Sequence, residues 1–300
     1  MGIRFLASNA ILRKSIIKEN MLKPFIQFAF SSDHQRSSAS ALASISMENE
    51  NRIALMKEGG FKAMLYLSQN IDLQVKRDST FAVANMADCS DIHLDMANED
   101  CINCMHKALT SSDTRVSRES LRFFAFFSIC DEAKELMIEN RVLTTLVRTS
   151  RSKDLESQRF TALTLCNLSS TKRKKEKMIE EKSVLKSLIF LSRFPDLEIE
   201  RCASLTFACL SMGNCELRES LKDDSNVLNS LFKIIQYPNL EMQQCATLAV
   251  NCLITGKNNH LKIEMLHIKE ALPSLLSLLN SSNEEVLHNS IYALGSLTED

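Results

Sequence analysis

Residues 270–279 read EALPSLLSLL, and residues 162–169 read ALTLCNLS. In the first stretch Leu272 and Leu275 are three residues apart, which is the spacing of an apolar stripe on one side of a helix. A similar pair recurs along the chain at intervals of 39 to 44 residues. We call its first residue the leading position, and it is filled by Leu22, Phe61, Ile102, Leu143, Leu185, Leu228 and Leu272. The sequence therefore predicts about seven copies of one helical repeat.

A second register runs through residues 162–169. Asn167 has an apolar residue two positions before it and one position after it, Leu165 and Leu168, and a small residue six positions before it, Thr161. We call the central residue the reference position, which the seven repeats fill with Ser44, Asn85, Phe126, Asn167, Cys209, Cys252 and Ser296. At about 100° per residue the apolar and small positions share one side of a helix, and the reference position faces outward. The small residue predicts close packing against a neighbouring helix.

The composition favours an all-α protein. The 300 residues include only 6 Gly and 4 Pro, with 45% hydrophobic and 24% charged residues, which leaves few turn-forming residues for a sheet-rich fold. A repeat of about 42 residues with two such helices cannot bury its apolar side alone, so neighbouring repeats must stack into a continuous core. The predicted fold class is an all-α solenoid.

Residues 270–279 and 162–169 resemble the second and third helices of armadillo repeats, and the resemblance covers nearly the whole chain. It implies a right-handed superhelix of three-helix repeats, an armadillo-type α-solenoid, whose third helices line a concave groove for extended peptides. The family includes β-catenin, importin-α and the vacuolar armadillo proteins. We therefore expect residues 1–300 to form a single armadillo repeat array.

Within this family the chain is more similar to β-catenin and the vacuolar armadillo proteins than to importin-α. The resemblance implies that an asparagine at the reference position holds the backbone of the bound peptide, and only Asn85 and Asn167 keep it. Importin-α adds a tryptophan four residues earlier. This chain has no Trp, and Arg122 stands at that place in the third repeat.

Both ends of the sequence resemble interior parts of an array. Residues 5–7, Phe-Leu-Ala, stand 17 residues before Leu22, just as Ser44 stands 17 residues before Phe61. Residues 297–300 stop where a third helix finishes, without the polar capping repeat that solenoids need for solubility. We expect the chain to be a fragment of a longer array.

A column of arginines is the strongest functional signal. Eight residues are about 800° of helical rotation, so a side chain eight residues before the reference position lies beside it on the exposed side. Five successive repeats place arginine there, and stacking third helices about 10 Å apart would align them along the groove. Arginine pairs bidentately with carboxylate and phosphate, which favours an acidic or phosphorylated peptide. The predicted peptide-binding residues are Arg36, Arg77, Asn85, Arg118, Arg122, Arg159, Asn167 and Arg201.

The same arginines have a second interpretation, in which each pairs with an acid of the neighbouring repeat, such as Asp78 or Glu119, and holds the stack together. Two other functions stay open beside the peptide-binding scaffold. One is a structural spacer array within a larger multidomain protein. The other is a nuclear-transport adaptor that binds basic peptides.

The sequence carries no catalytic motif. The glycines are too scattered for a dinucleotide fingerprint or a phosphate loop, and Cys101 and Cys104 lack the second pair or nearby histidines of a zinc site. We expect no catalytic residue, no metal and no cofactor. Cys202 and Cys245 occupy equivalent positions of adjacent repeats, too far apart for a disulfide. Ten cysteines, mostly in apolar stretches, are typical of reduced thiols in an intracellular protein.

Charge and hydropathy limit the partners. The net charge is −1 with both signs interspersed, so we expect no nucleic-acid partner. The longest apolar run, residues 121–130, is about half of a bilayer span, and Leu6 stands where a myristoylation signal needs Ser or Thr. We expect no transmembrane segment, no lipid anchor and a cytoplasmic location. The basic run 172–177 is predicted to be a solvated loop between repeats, and its alternative as a nuclear-localisation signal leaves the nucleus open.

Overall fold

The computed structural model describes residues 22–170, 172–211, 226–254 and 259–298, and every helix and turn discussed below lies in these ranges. The helix predicted around residues 5–7 and the myristoylation position Leu6 lie outside them. No strand occurs in the described ranges. The predicted all-α class is confirmed.

Two shorter helices are in general followed by a longer one, with brief connections. In chain order they are α1 (Leu22–Phe28), α2 (Gln35–Ser46), α3 (Asn49–Lys57), α4 (Gly60–Ser68), α5 (Leu73–Ala87), α6 (His93–Met96), α7 (Glu99–Leu109), α8 (Thr114–Phe127), α9 (Asp131–Glu139), α10 (Val142–Thr149), α11 (Leu155–Leu168), α12 (Lys172–Glu180), α13 (Lys182–Ser192), α14 (Leu197–Ser211), α15 (Asn226–Ile235), α16 (Leu240–Ile254), α17 (Asn259–His267), α18 (Ala271–Leu278) and α19 (Glu284–Ser296).

Three kinds of helix recur in order. The first helices of the repeats are α3, α6, α9, α12 and α17, and a 3-10 turn at Ser90–Ile92 precedes α6. The second helices carry the leading positions and are α1, α4, α7, α10, α13, α15 and α18. The third helices carry the reference positions and are α2, α5, α8, α11, α14, α16 and α19. The basic run 172–177 lies inside α12, so its prediction as a loop was wrong; it forms a first helix.

The chain divides into two compact units, Met1–Thr164 and Leu165–Asp300, which we call the first and second unit. In the first unit α2 packs on α5 and α5 on α8, while the second helices α4 and α7 pack on α5 and α8. In the second unit α14 packs on α16 and α16 on α19, with α13 and α15 beneath α14 and α16. Both units are therefore built by stacking repeats. A single continuous array over residues 1–300 stays a prediction.

The apolar register forms the core of each unit. The residues two before and one after the reference position are fully buried in six of the seven repeats. In α19 Leu294 and Leu297 are only half-buried, because no further repeat packs on that helix within the described residues. The leading position is buried in six repeats, but Leu272 is 38% exposed because α18 turns Ala271 and Leu275 inward instead. The predicted burial of Leu272 was wrong.

The small residue six positions before the reference position is buried in all seven repeats, as the close-packing prediction requires. In three of them its hydroxyl also bonds the second helix of the same repeat, and in one of these Thr161 Oγ1 lies 2.8 Å from Thr149 Oγ1. Ser38 Oγ donates to the carbonyl of Phe25 at 2.7 Å, and Ser120 Oγ donates to that of Met105. A larger side chain there would separate the two helices.

Candidate functional site

The third helices begin with a second column of polar residues, which the sequence analysis missed. From the second repeat onward, the residue 13 positions before the reference position is an Asp or Asn whose side-chain oxygen accepts a hydrogen bond from a backbone N–H two or three residues later. This satisfies amides that have no partner inside the helix. The cap residues are Asp72, Asp113, Asp154, Asp196, Asn239 and Asn283.

In the first unit these caps also bind arginines of the predicted column. The pairs are Arg36 with Asp72, Arg77 with Asp113, and Arg118 with Asp154, each joining one third helix to the start of the next. The Arg77 pair is bidentate, with Nη2 at 2.6 Å from Asp113 Oδ2 and Nε at 3.2 Å from Oδ1. We call these three pairs the inter-repeat ties.

The ties correspond to the second interpretation of the arginine column, but with different acids from those expected. Asp78 accepts from Gln74 Nε2 at 2.8 Å, and Glu119 accepts from Arg122 Nε at 2.8 Å. Each of these acids therefore bonds a residue one turn away on its own helix. The acid that meets each arginine stands 36 residues further along the chain, where the next third helix begins.

In two of the ties the ion pair favours the charged form of the carboxyl group. The hydrogen bond from Arg36 lowers the pKa of Asp72, and that from Arg77 lowers the pKa of Asp113. The same bond to Asp113 raises the pKa of Arg77. The arginine side chains nevertheless stay about a third exposed or more, so the ties are partly screened by solvent.

The last two arginines of the column each form an ion pair within their own helix. Arg159 Nη1 lies 2.7 Å from Glu156 Oε1, and Arg201 Nη2 lies 2.8 Å from Glu198 Oε2. Both acids stand one turn earlier on the arginine's own helix. For Arg201, the next cap is Asn239, whose neutral amide cannot form an ion pair.

Asn85, one of the two asparagines expected to hold a peptide, is engaged inside the protein and only 5% exposed. Its Nδ2 donates to Ser46 Oγ at 3.0 Å, and its Oδ1 accepts from Arg122 Nη2 at 2.8 Å. The Arg122 guanidinium also lies 5.2 Å from the centre of the Phe81 ring, a cation–π distance. The two predicted site residues Asn85 and Arg122 are therefore adjacent, but they bond each other. Asn167 is half-buried at its reference position.

Several cysteine thiols have a raised pKa, which favours their protonated form. Burial raises the pKa of Cys101 well above its usual value and also raises that of Cys104. In the second unit Cys166 and Cys202 are close enough for a thiol–thiol hydrogen bond, which raises the pKa of Cys166. The comparison of Cys202 with Cys245 in the sequence did not predict this contact between Cys202 and Cys166. Within the described ranges no three His, Cys, Asp or Glu side chains are grouped so as to hold a metal ion.

Apolar side chains also recur on the half-exposed surface of the third helices. Four positions before the reference residue stand partly exposed apolar side chains in five repeats: Phe81, Leu163, Leu205, Leu248 and Tyr292. A search of the described helices finds none that is both long enough and apolar enough to cross a bilayer.

The sequence matches no family model, and no curated protein matches it. Solved structures do match. An engineered protein superposes with a TM-score of 0.81 at 23% identity, over 98% of this chain and 72% of its own. A designed armadillo repeat protein in complex with the peptide (KR)4 gives 0.67 at 22% identity, over 77% of this chain and 99% of its own. Computationally designed armadillo repeat proteins for modular peptide recognition give a TM-score of 0.69 at 21% identity, over 77% of this chain and 99% of their own. The chain therefore has an armadillo-type fold.

Proposed function

We propose that this chain is a non-catalytic interaction scaffold that holds an extended peptide segment of a partner protein along its third helices. The observation that carries the proposal is the repeated placement of half-exposed apolar side chains, such as Phe81 and Leu248, at one register position of those helices. A regular row of this kind suits an extended chain, whose side chains also recur at a fixed spacing. The designed armadillo proteins of the same fold, made for modular peptide recognition, support it.

The specific form of the proposal is an acidic or phosphorylated segment. Its support is the arginine column together with Asn85, Arg122 and Asn167. A guanidinium has five N–H donors, and Arg77 gives two of its N–H groups to Asp113. Donors therefore remain for an oxygen of a bound carboxylate or phosphate. Because the caps neutralise part of the charge in the first unit, the affinity would come from many weak contacts.

The inter-repeat ties support a second candidate, the structural spacer. They use charged groups of the column to hold third helices together, which is what a spacer needs and a binding surface does not. We place either form in the cytoplasm or nucleus, supported by the ten cysteines in apolar stretches.

Three fluorescein-labelled octapeptides test the proposal by anisotropy at low salt: alternating Glu and Ala, the same with phosphoserine in place of Glu, and alternating Lys and Ala. We expect the two acidic peptides to bind at least about fivefold more tightly than the basic one, with an affinity that falls as salt rises. The variant Arg201→Gln should weaken binding of the two acidic peptides, because it removes one guanidinium of the column. It should leave the stack of repeats intact, since the ion pair of Arg201 lies within its own helix. Arg148→Gln is the matched control, since Arg148 is exposed on the second helix α10.

Three other outcomes would decide against this form. Preferred binding of the Lys peptide would favour the nuclear-transport adaptor. Equal losses for Arg201→Gln and Arg148→Gln would show that general charge, and not the groove, attracts the peptide. Binding of none of the three would favour the spacer.

A further inference from the structure

A cavity of about 840 Å³ opens in the first unit, away from the third helices. Its walls come from α4, from the end of α3, and from α6 and the first half of α7. The volume is within the usual range for ligand pockets and exceeds what one ion or one side chain would fill. It therefore fits a short stretch of chain.

One wall of this cavity is apolar. Phe61 and Leu65 are buried behind it, while Tyr66 stands 51% exposed. Phe30, itself 57% exposed, packs beside Tyr66 with the ring centres 5.1 Å apart. Two adjacent half-exposed aromatic rings are a ready contact for an apolar side chain and, through their faces, for a cation.

The opposite wall is acidic. Asp95 from α6 and Asp100 from α7 line the cavity and are exposed, and neither makes an ion pair or hydrogen bond with another described residue. The opposing charge in the lining is Lys62 of α4. Two carboxylates against one ammonium leave the cavity with a net negative charge.

We propose that this cavity binds a partner peptide in which a large apolar or aromatic residue is followed by Lys or Arg. The apolar side chain packs on Leu65 and Tyr66, and the cation lies against Asp95 and Asp100, which gain the partner they lack. The site is separate from the third-helix surface, so it would recruit a second segment of the same partner or a different partner. It does not depend on the proposed groove function.

The chain contains no Trp, so the variant Tyr66→Trp places a single fluorescent indole in the cavity. In this background we would titrate three capped pentapeptides: Ala-Phe-Lys-Leu-Ala, and the same peptide with Gln or with Glu in place of Lys. We expect a saturable change with the Lys peptide and an affinity about tenfold or more above that of the Glu peptide. In the protein with native Tyr66, the Lys peptide should also slow alkylation of the half-buried Cys104, which lines the cavity.

Two double variants make the test specific. Asp95→Asn with Asp100→Asn should abolish the preference for Lys over Gln and Glu. Asp91→Asn with Glu99→Gln removes the same charge from neighbouring exposed acids that do not line the cavity, and should leave the preference intact. The proposal is overturned if the peptides neither saturate nor protect Cys104, if all three bind equally, or if both double variants lose the preference alike.

Discussion

The two units share one repeat register but join their third helices differently. In the first unit Asp113 caps α8 and also receives Arg77 from the preceding third helix. In the second unit Asn239 caps α16 in the same way, but Arg201 pairs with Glu198 on its own helix. At these two positions the amide keeps the cap, but unlike the carboxylate it offers the preceding arginine no charged partner. Capping a helix and binding an arginine are therefore separable roles of the residue at this position.

This difference also bears on binding. An arginine that ties two helices is committed to a partner whose loss would loosen the stack, whereas Arg201 gives up only a contact one turn away. Exposed pairs of that kind contribute little to stability. A peptide carboxylate can therefore recruit Arg201 at a lower cost than Arg77.

The largest expected effect is from Asp113→Ala. It removes both the cap and the tie, and the cap alone is worth about 0.5–2 kcal/mol of unfolding free energy. Asn239→Ala removes a cap only, so it should cost less. Urea unfolding measures the total loss of unfolding free energy for each variant. Hydrogen exchange at the first turns of α8 and α16 shows where in the chain the loss occurs. Equal losses at the two positions would show that the Asp113 tie adds nothing.

Acid should loosen the first unit through its ties. The pKa values of Asp72 and Asp113 are lowered in the folded state. The stability they contribute is therefore complete above the unfolded value near pH 4, and is lost as the pH falls below it through the lowered folded values. Hydrogen exchange at α5 and α8 between pH 5 and pH 3 should show this loss. Asp72→Asn with Asp113→Asn should make exchange there less pH-dependent, and an unchanged pH dependence would refute the assignment.

The smallest expected effect is a gain in stability from Asn239→Asp. Asn239→Asp keeps an oxygen acceptor for the cap and offers Arg201 the carboxylate found in the first unit. We expect a stabilisation of a few tenths of a kcal/mol that decreases as salt is raised. The control Asn283→Asp adds the same charge to a cap whose preceding repeat carries Gln244 in place of arginine. A gain of equal size in the control would point to the helix dipole and not to a tie.

The periodic part of the fold could be predicted from the sequence because it depends on spacing within one helix. The buried small residues at Ser38 and Ser120 and the apolar core around the reference positions follow from helical geometry alone. Leu272 shows the limit of this reasoning. Ala271 and Leu272 are adjacent and both apolar, and only the packing of α18 decides which of them turns inward.

The site was harder to predict because its contacts cross repeats. In register Arg77 is closer to Glu119 than to Asp113, yet it meets Asp113, because the offset between stacked helices decides which acid lies within reach. The cap residues recur 13 positions before each reference position from the second repeat onward, and this spacing in the sequence points to Asp113 as the acid at the start of the next third helix. That Arg122 and Asn85 bond each other could not be read from either residue, since Arg122 is unusual at its position and its partner is 37 residues away.

A double-mutant cycle on Arg77 and Asp113 tests the account most directly. Arg77→Gln and Asp113→Asn each remove one charge while position 113 keeps a capping oxygen, and hydrogen exchange in α5 and α8 reports the stability of the first unit. If the tie joins the repeats, the double variant will lose little more than the more damaging single variant, and this coupling will shrink in high salt. Additive losses that are insensitive to salt would contradict it, and the arginine column would then be free for a bound peptide.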